Sequence, residues 1–455
     1  MKQTLLSTVG RHKASGRRVA WQRLLTAACW LLAGNAMAQQ VPRVFGVENT
    51  GCHLEKPAMP APDALPVIRE LPDALEGVST FADWAKRRSD IGHMIQHYGI
   101  GEKPAVKPEQ VKARMEGDTA LVVDVTVDGQ TLTLRSTIRY PKHQPSAIDH
   151  QPSVIDHQPS ATDHQPSAIE HQPSAIDHQP SSTEHQPSSY ALMIGTDMIA
   201  LPRKLFNDRP IATLNFHSAQ VNDYKQFGRH HDRGEHPFDR LYPHLVKNGA
   251  YSEWAWGVSR IIDGLEQLGP EVTRIDTRRI GITGCSYAGK MALYAGAFDE
   301  RIALVIAQEP GGGGAAAWRK SHELTLSGKN LEDIDKTDYH WFLESQKENF
   351  GGEGVYRLPY DQHMLCAMVC PRALLLLGNP DFEWLADASM LISAQAAQKV
   401  WQHFGIGDRM GYSIVSGHGH CQLPEKQFPE VQAFIDKFLL GKDTDTRNIQ
   451  ISDIE

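Results

Sequence analysis

A serine stands at position 286 in the run Gly284-Cys285-Ser286-Tyr287-Ala288-Gly289, between an apolar stretch at 279–283 and a helix-like stretch at 288–297. Small residues two before and two after a serine let it occupy a tight strand-to-helix turn that exposes its hydroxyl. Here they are Gly284 and Ala288, a variant of G-x-S-x-G. The helix start behind the serine offers free N–H groups and a positive dipole end to a developing oxyanion. A hydroxyl is a weak nucleophile until a histidine takes its proton and an acid holds that imidazole in place. Glu309 follows an apolar run at 302–307, and His420 follows another at 412–415. Serine, acid and histidine in this order, each beyond a predicted strand, is an arrangement for acyl transfer. Competitors exist for two of the parts. Asp381 and Glu383 follow the apolar run 373–377, and His418 stands two residues before His420. His217, after an early strand, is read as a satisfied structural histidine, with a place near the oxyanion loop as the alternative. The plainest alternative for Ser286 itself is a helix cap.

Such a site needs strand ends and helix starts on a rigid sheet. Residues 120–140 alternate around Asp128-Gly129, a hairpin signal. Runs at 190–199 and 211–216 suit strands, and 252–268 has the three-four spacing of an amphipathic helix. Strand 279–283, helix 288–297 and strand 302–307 then alternate. After an irregular stretch come strand 373–377, helix 389–404, strand 412–415 and helix 430–440. Buried strands between helices imply a mostly parallel central sheet covered on both faces: a three-layer α/β/α sandwich with the α/β-hydrolase fold. Trp254 and Trp256, within the predicted helix, read as core residues.

The 455 residues carry 46 basic and 54 acidic side chains, a formal net charge of −8, which gives no sign of nucleic-acid binding. That balance hides three regions. Residues 1–38 hold six basic side chains and no acid, continue into an apolar run at 24–34 and end Ala36-Met37-Ala38. This is the pattern of a cleavable signal peptide, with cleavage near Ala38 and a secreted or periplasmic product. The run is too short to span a bilayer, so no stable membrane insertion is expected. Residues 143–187 repeat a seven-residue unit, HQPSAID and close variants, with seven of the 22 histidines and six acids. Proline in every unit forbids a continuous helix, and large apolar residues are too few for a core, so a disordered insertion is expected. The remaining 372 residues are again at −8. They divide into 39–142, the first part of the hydrolase, a core at 188–441, and a tail at 442–455. Five cysteines remain after the signal: Cys52, Cys285, Cys366, Cys370 and Cys421. An exported protein permits disulfides, and an odd count leaves at least one thiol unpaired. Cys366 and Cys370, four apart, read as core thiols.

Seven separated segments, GCSYAGK, IAQEPGGGGAAAWR, LPYDQHML, CPRALLLLGN, FEWLADAS, GIGDRMGYS and GHGHCQLP, resemble in order those of the glucuronoyl esterases, carbohydrate esterase family 15. The resemblance covers most of residues 190–440. It implies a secreted serine esterase that cleaves the ester between 4-O-methyl-glucuronic acid of glucuronoxylan and a lignin alcohol, without metal or other cofactor. It assigns Ser286 as nucleophile, Glu309 as acid and His420 as base, and it pairs Cys285 with Cys421. Lys290, Glu332 and Trp384 match residues that bind the sugar. A monomer is expected. One departure stands out, because many members carry arginine after the serine where this chain has Tyr287. Its backbone N–H is expected to serve the oxyanion hole and its hydroxyl is a further candidate donor, with weaker electrostatic help than a guanidinium. Two other readings stay open: a different secreted polysaccharide esterase, such as an acetyl esterase, and a carbohydrate-binding relative whose triad has decayed.

Overall fold

The computed structural model describes residues 41–141 and 189–454. The signal-peptide segment 1–38 and the repeat 143–187 therefore lie outside the described residues. Ten strands form one sheet in the order β1-β2-β3-β5-β4-β6-β7-β8-β9-β10. Strands β1 (Val111–Glu116), β2 (Ala120–Val127) and β3 (Gln130–Arg139) run antiparallel, with β3 antiparallel to β5 (Ile211–Phe216). Asp128 and Gly129, both at positive φ, make the predicted β2–β3 turn. The rest of the sheet is parallel: β5, β4 (Tyr190–Thr196), β6 (Ile275–Cys285), β7 (Ile302–Gln308), β8 (Ala373–Gly378), β9 (Met410–Ile414) and β10 (Gln450–Ser452).

Residues of the central strands are buried on both faces, as continuous apolar runs require. On one face Leu192, Ile194, Val305, Leu374 and Leu376 pack in the larger core with helices α1 (Phe81–Ile95), α2 (Ala250–Leu268) and α3 (Tyr287–Phe298). On the other, Met193, Leu304, Ile306, Leu375 and Leu377 meet Val431, Phe434, Ile435 and Leu439 of the C-terminal helix. Burying a leucine or isoleucine fully contributes about 1.5–3 kcal/mol, so strand β8, Ala-Leu-Leu-Leu-Leu-Gly, anchors both layers at once. Trp254 and Trp256 are fully buried, as read from the helix pattern. Cys366 and Cys370 are buried free thiols, and Cys52 is free and exposed.

The alternation of strand and helix therefore follows the sequence, with ends moved by a few residues. The segment 442–455 is more than a tail. Its β10 extends the sheet beside β9, and Asp453 accepts bonds from the Ser416 N–H and hydroxyl, both at 2.8 Å. That fastens the start of the loop carrying His418 and His420.

Candidate active site

Strand β6 ends at Cys285 and helix α3 begins at Tyr287, leaving one residue to turn the chain. Ser286 makes that turn at φ 60°, ψ −128°, a strained conformation for a residue with a side chain. The surroundings enforce it. Ser286 N–H donates to the Gln308 carbonyl of β7 at 3.0 Å, and its carbonyl accepts from Lys290 N–H at 3.0 Å. A Cβ on Gly284 would lie 2.2 Å from the Ala288 carbonyl oxygen, and one on Gly289 would lie 2.4 Å from that of Gln308. Both positions must be glycine for the helix start to sit this close to the sheet. The first N–H groups of a helix have no intrahelical acceptor, so the start of α3 presents donors beside the serine.

Glu309 follows β7 at φ 47° and is 1% exposed. Its N–H donates to the Leu377 carbonyl of β8 at 2.7 Å, which fixes the carboxylate over the parallel strands. That carboxylate accepts from His420 Nδ1 at 2.6 Å, from the Cys421 N–H at 3.1 Å and from Gln308 Nε2 at 3.3 Å. With Nδ1 donating, Nε2 is the imidazole's free acceptor. Cys421 is bonded to Cys285, with Cα atoms 5.7 Å apart across 136 positions of chain. Each bridged cysteine is the immediate neighbour of a predicted catalytic residue, so the bond ties the Ser286 turn to the His420 loop.

The competitors are engaged elsewhere. Asp381 accepts from Gly417 N–H at 2.6 Å, while Glu383 accepts from Asn330 N–H at 3.1 Å and pairs with Lys329 at 3.3 Å. His418 Nε2 lies 2.9 Å from the Val415 carbonyl, and its Nδ1 is 4.0 Å from Glu309. His217, read as a satisfied structural histidine, is instead exposed, and no hydrogen-bond partner of its ring is found among the described residues.

The three predicted binders converge. Lys290 is 3% exposed, with Nζ 2.9 Å from Glu332 Oε2 and 5.2 Å from the Trp341 ring centre. Lys290 is thus a buried cation and not a solvated helix lysine. Glu332 Oε1 accepts from the Thr337 hydroxyl at 2.9 Å, and Glu332 N–H donates to the Trp384 carbonyl at 3.2 Å. Trp384 is 47% exposed and lies edge-on to His420, with ring centres 5.9 Å apart, so it faces the site and not the core. Phe382 flanks the same imidazole at 5.6 Å.

Tyr287 corrects one expectation. Its hydroxyl donates to Asp197 Oδ2 at 2.7 Å, so its single proton is committed away from any oxyanion. Asp197, at φ 58° just after β4, also accepts from the Ser218 N–H and hydroxyl at 2.8 and 2.9 Å. Burial, then the Asp197 charge, pushes the phenol well above its ordinary range. Asp197, Thr337, Trp341 and Asp387 escaped the sequence reading, since only the folded chain brings them to Ser286 or its partners. Asp387 is buried, with Oδ2 accepting from Asn379 N–H at 3.0 Å and Oδ1 without a hydrogen-bond partner among the described residues. Burial pushes its carboxyl up to about 7, Glu309 adds to the rise, and the Asn379 N–H and His420 oppose it.

Comparisons with known proteins agree with one another. Residues 174–405 match the family model described as glucuronyl esterase, fungi. The chain is 33% identical over 384 residues to the 4-O-methyl-glucuronoyl methylesterase of Neurospora crassa, covering 83% of this chain and 84% of that one. It is 30% identical to the enzyme of that name from Thermothelomyces thermophilus, covering 92% of each. The glucuronoyl esterase catalytic domain of Hypocrea jecorina superposes with a TM-score of 0.71 at 31% identity, over 87% of this chain and 95% of that one. A serine-to-alanine mutant of the Sporotrichum thermophile enzyme, in complex with methyl 4-O-methyl-β-D-glucopyranuronate, gives 0.70 at 29% identity, over 86% and 93%.

The Asp387 environment makes a pH prediction. A carboxyl raised on folding favours the protonated native state, so stability is lost as pH climbs from the unfolded value, about 3.9, through about 7. Asp387→Asn keeps a neutral group of the same shape. Calorimetry is expected to give it the wild-type Tm at pH 4 and a higher Tm at pH 8; a lower Tm at pH 8 contradicts this.

Proposed function

The chain belongs to the glucuronoyl esterases, carboxylic ester hydrolases, and from that premise we propose that Ser286, His420 and Glu309 hydrolyse the ester of 4-O-methyl-D-glucuronic acid in glucuronoxylan through a glucuronoyl-enzyme. The observation that carries this reading is the Glu309–His420 hydrogen bond, held beside the Ser286 turn by the Cys285–Cys421 bridge. Glu309 keeps the Nδ1 proton in place, and His420 Nε2 takes the proton of Ser286 Oγ as that oxygen attacks the C6 carbonyl. The N–H groups at the start of α3, that of Tyr287 among them, receive the developing oxyanion. His420 returns the proton to the leaving alcohol, and water then attacks the acyl-enzyme by the same route.

Specificity lies on the acid half. A uronate carries several hydroxyls and one apolar face. Lys290 and Glu332 offer a donor and an acceptor already paired with each other, and Trp384 offers a flat wall. The lignin alcohol faces solvent. Export follows from residues 1–38, and the disulfide fits an oxidising compartment.

Hydrolysis of benzyl glucuronate tests the assignment. Ser286→Ala is expected to lower kcat by about 10⁴-fold or more, and Glu309→Gln by about 10³- to 10⁴-fold. Asp381→Ala, which removes a carboxylate that accepts from the Gly417 N–H and not from the imidazole, should stay within about threefold. Equal losses at Glu309 and Asp381 would show a shared acid. Hydrolysis of acetyl esters but not of the uronate would move the protein to another polysaccharide esterase class. Because the Tyr287 hydroxyl serves Asp197 and not the reacting atoms, Tyr287→Phe is expected to keep kcat within about fivefold, about 1 kcal/mol. Tyr287→Arg, which adds a cation beside the helix start, is expected to raise it. A loss of about 100-fold in Tyr287→Phe would return the hydroxyl to the oxyanion hole.

A further inference from the structure

Directly after Glu332 in the chain stands Asp333, part of a group of metal-ligating side chains that the esterase reaction does not use. Helix α4 (Trp318–Leu326) presents His322, and the loop after it presents Asp333 and Asp335. One ring nitrogen of His322 and one oxygen from each carboxylate all lie within 4.8 Å of one another. Donors bound to a single zinc ion at about 2.0–2.2 Å lie no more than about 4.4 Å apart, so the three are within a small side-chain adjustment of a shared ion.

Two features separate this group from an ordinary acidic surface. His322 is 7% exposed, and its Nε2 is fully buried without a hydrogen-bond partner among the described residues. A buried ring nitrogen without a partner is costly, and a ligand removes that cost. Asp333 is 2% exposed, and no cationic side chain within 4.0 Å of it is found among the described residues. Its Oδ1 takes the N–H groups of Asp335 and Lys336, both at 3.1 Å. Asp335 Oδ2 takes the Gly352 N–H at 2.8 Å. Each carboxylate thus has one oxygen held by the backbone, which fixes its direction, and one oxygen left over. Glu353 adds a fourth candidate at the rim. Its Oε1 is 3.7 Å from His322 Nε2, beyond hydrogen-bond range, while its Oε2 pairs with Arg69 at 3.2 Å.

We propose that His322, Asp333 and Asp335 form a binding site for a divalent first-row transition ion of the zinc or manganese type, which fastens the Glu332 loop to helix α4. The donor set decides the class of ion. One imidazole with two or three carboxylates suits zinc and manganese, whereas calcium and magnesium select oxygen ligands alone. Asp333 is adjacent to Glu332, which holds Lys290 through its side chain and Trp384 through its N–H. An ion here therefore braces the segment that orients the sugar-binding residues, and it takes no part in proton or acyl transfer.

The test uses the full chain, stripped with a chelator that is then removed, and melted with added ZnCl₂, MnCl₂ or CaCl₂. At about 100-fold over Kd, zinc or manganese is expected to raise Tm by about 3 °C or more. That shift should vanish in His322→Gln and in Asp333→Asn, with Asp335→Asn, at an exposed position, used if either buried change prevents folding. A shift retained in these variants places the ion elsewhere, for instance on the histidines of 143–187, and overturns the site. So does a shift with calcium alone. No shift with any ion leaves the three side chains as a histidine–carboxylate cluster and also overturns it. None of these readings depends on esterase activity, so the site can fail while the assignment of Ser286 stands.

Discussion

The Cys285–Cys421 bond is the constraint on which the site depends. Ser286 follows β6 and His420 lies beyond β9, two strands kept apart in the sheet by β7 and β8, and the two strands share no pairing partner. The bond joins the immediate neighbours of Ser286 and His420 across 136 positions, removing much of the freedom with which the two loops would otherwise move. Closing a loop of that length in the unfolded chain accounts for roughly 4–5 kcal/mol in the chain-entropy model. The bridge also acts on the third member. Cys421 N–H donates to Glu309, so the residue that ties the His420 loop to the Ser286 turn also binds the Glu309 carboxylate. Three residues from three strand ends are thereby held through one covalent link and one buried carboxylate.

The price of this arrangement is visible as strain. Ser286, Glu309 and Cys421 all sit at positive φ, conformations that non-glycine residues adopt only when their surroundings hold them. The parallel strands supply that hold through Gln308 and Leu377 carbonyls, and two glycines, 284 and 289, leave room for it. The same economy of space sets the Lys290 ammonium, its side chain 4% exposed, against the Glu332 carboxylate, at 15%. Breaking such a pair by removing one partner leaves an uncompensated charge, which is why the two are best regarded as one unit.

Much of this was legible in the chain. Small residues around Ser286 announce the turn, and Glu309 and His420 follow apolar runs that the sheet indeed uses as β7 and β9. The Asp128-Gly129 signal gave the hairpin. What escaped had physical reasons. Strand β10 is short and polar and exists because β9 offers an edge, not because its residues favour a strand. Helix α1 was readable in principle from its capping box, Thr80 with Asp83, but its apolar face is interrupted by charged residues. Asp197 and Asp387 carry no local signal that distinguishes them from the chain's other acids. Their partners, Tyr287 and Ser218 for one, Asn379 for the other, are set by the register of separate strands. Tyr287 shows the limit from the other side: its type suggested a donor to the oxyanion, and only the position of Asp197 revealed where the proton goes.

The disulfide, on this reading, sets the geometry of Ser286 and His420 as well as stabilising the fold. The direct measurement is kcat on benzyl glucuronate for the Cys285→Ala, Cys421→Ala double variant, taken at a temperature where circular dichroism shows it folded. The predicted result is a fall of at least about 10-fold with little change in KM, since a small misplacement of reacting groups costs rate more than binding. A folded double variant with wild-type kcat would contradict the claim and leave the bridge a stabilising link only.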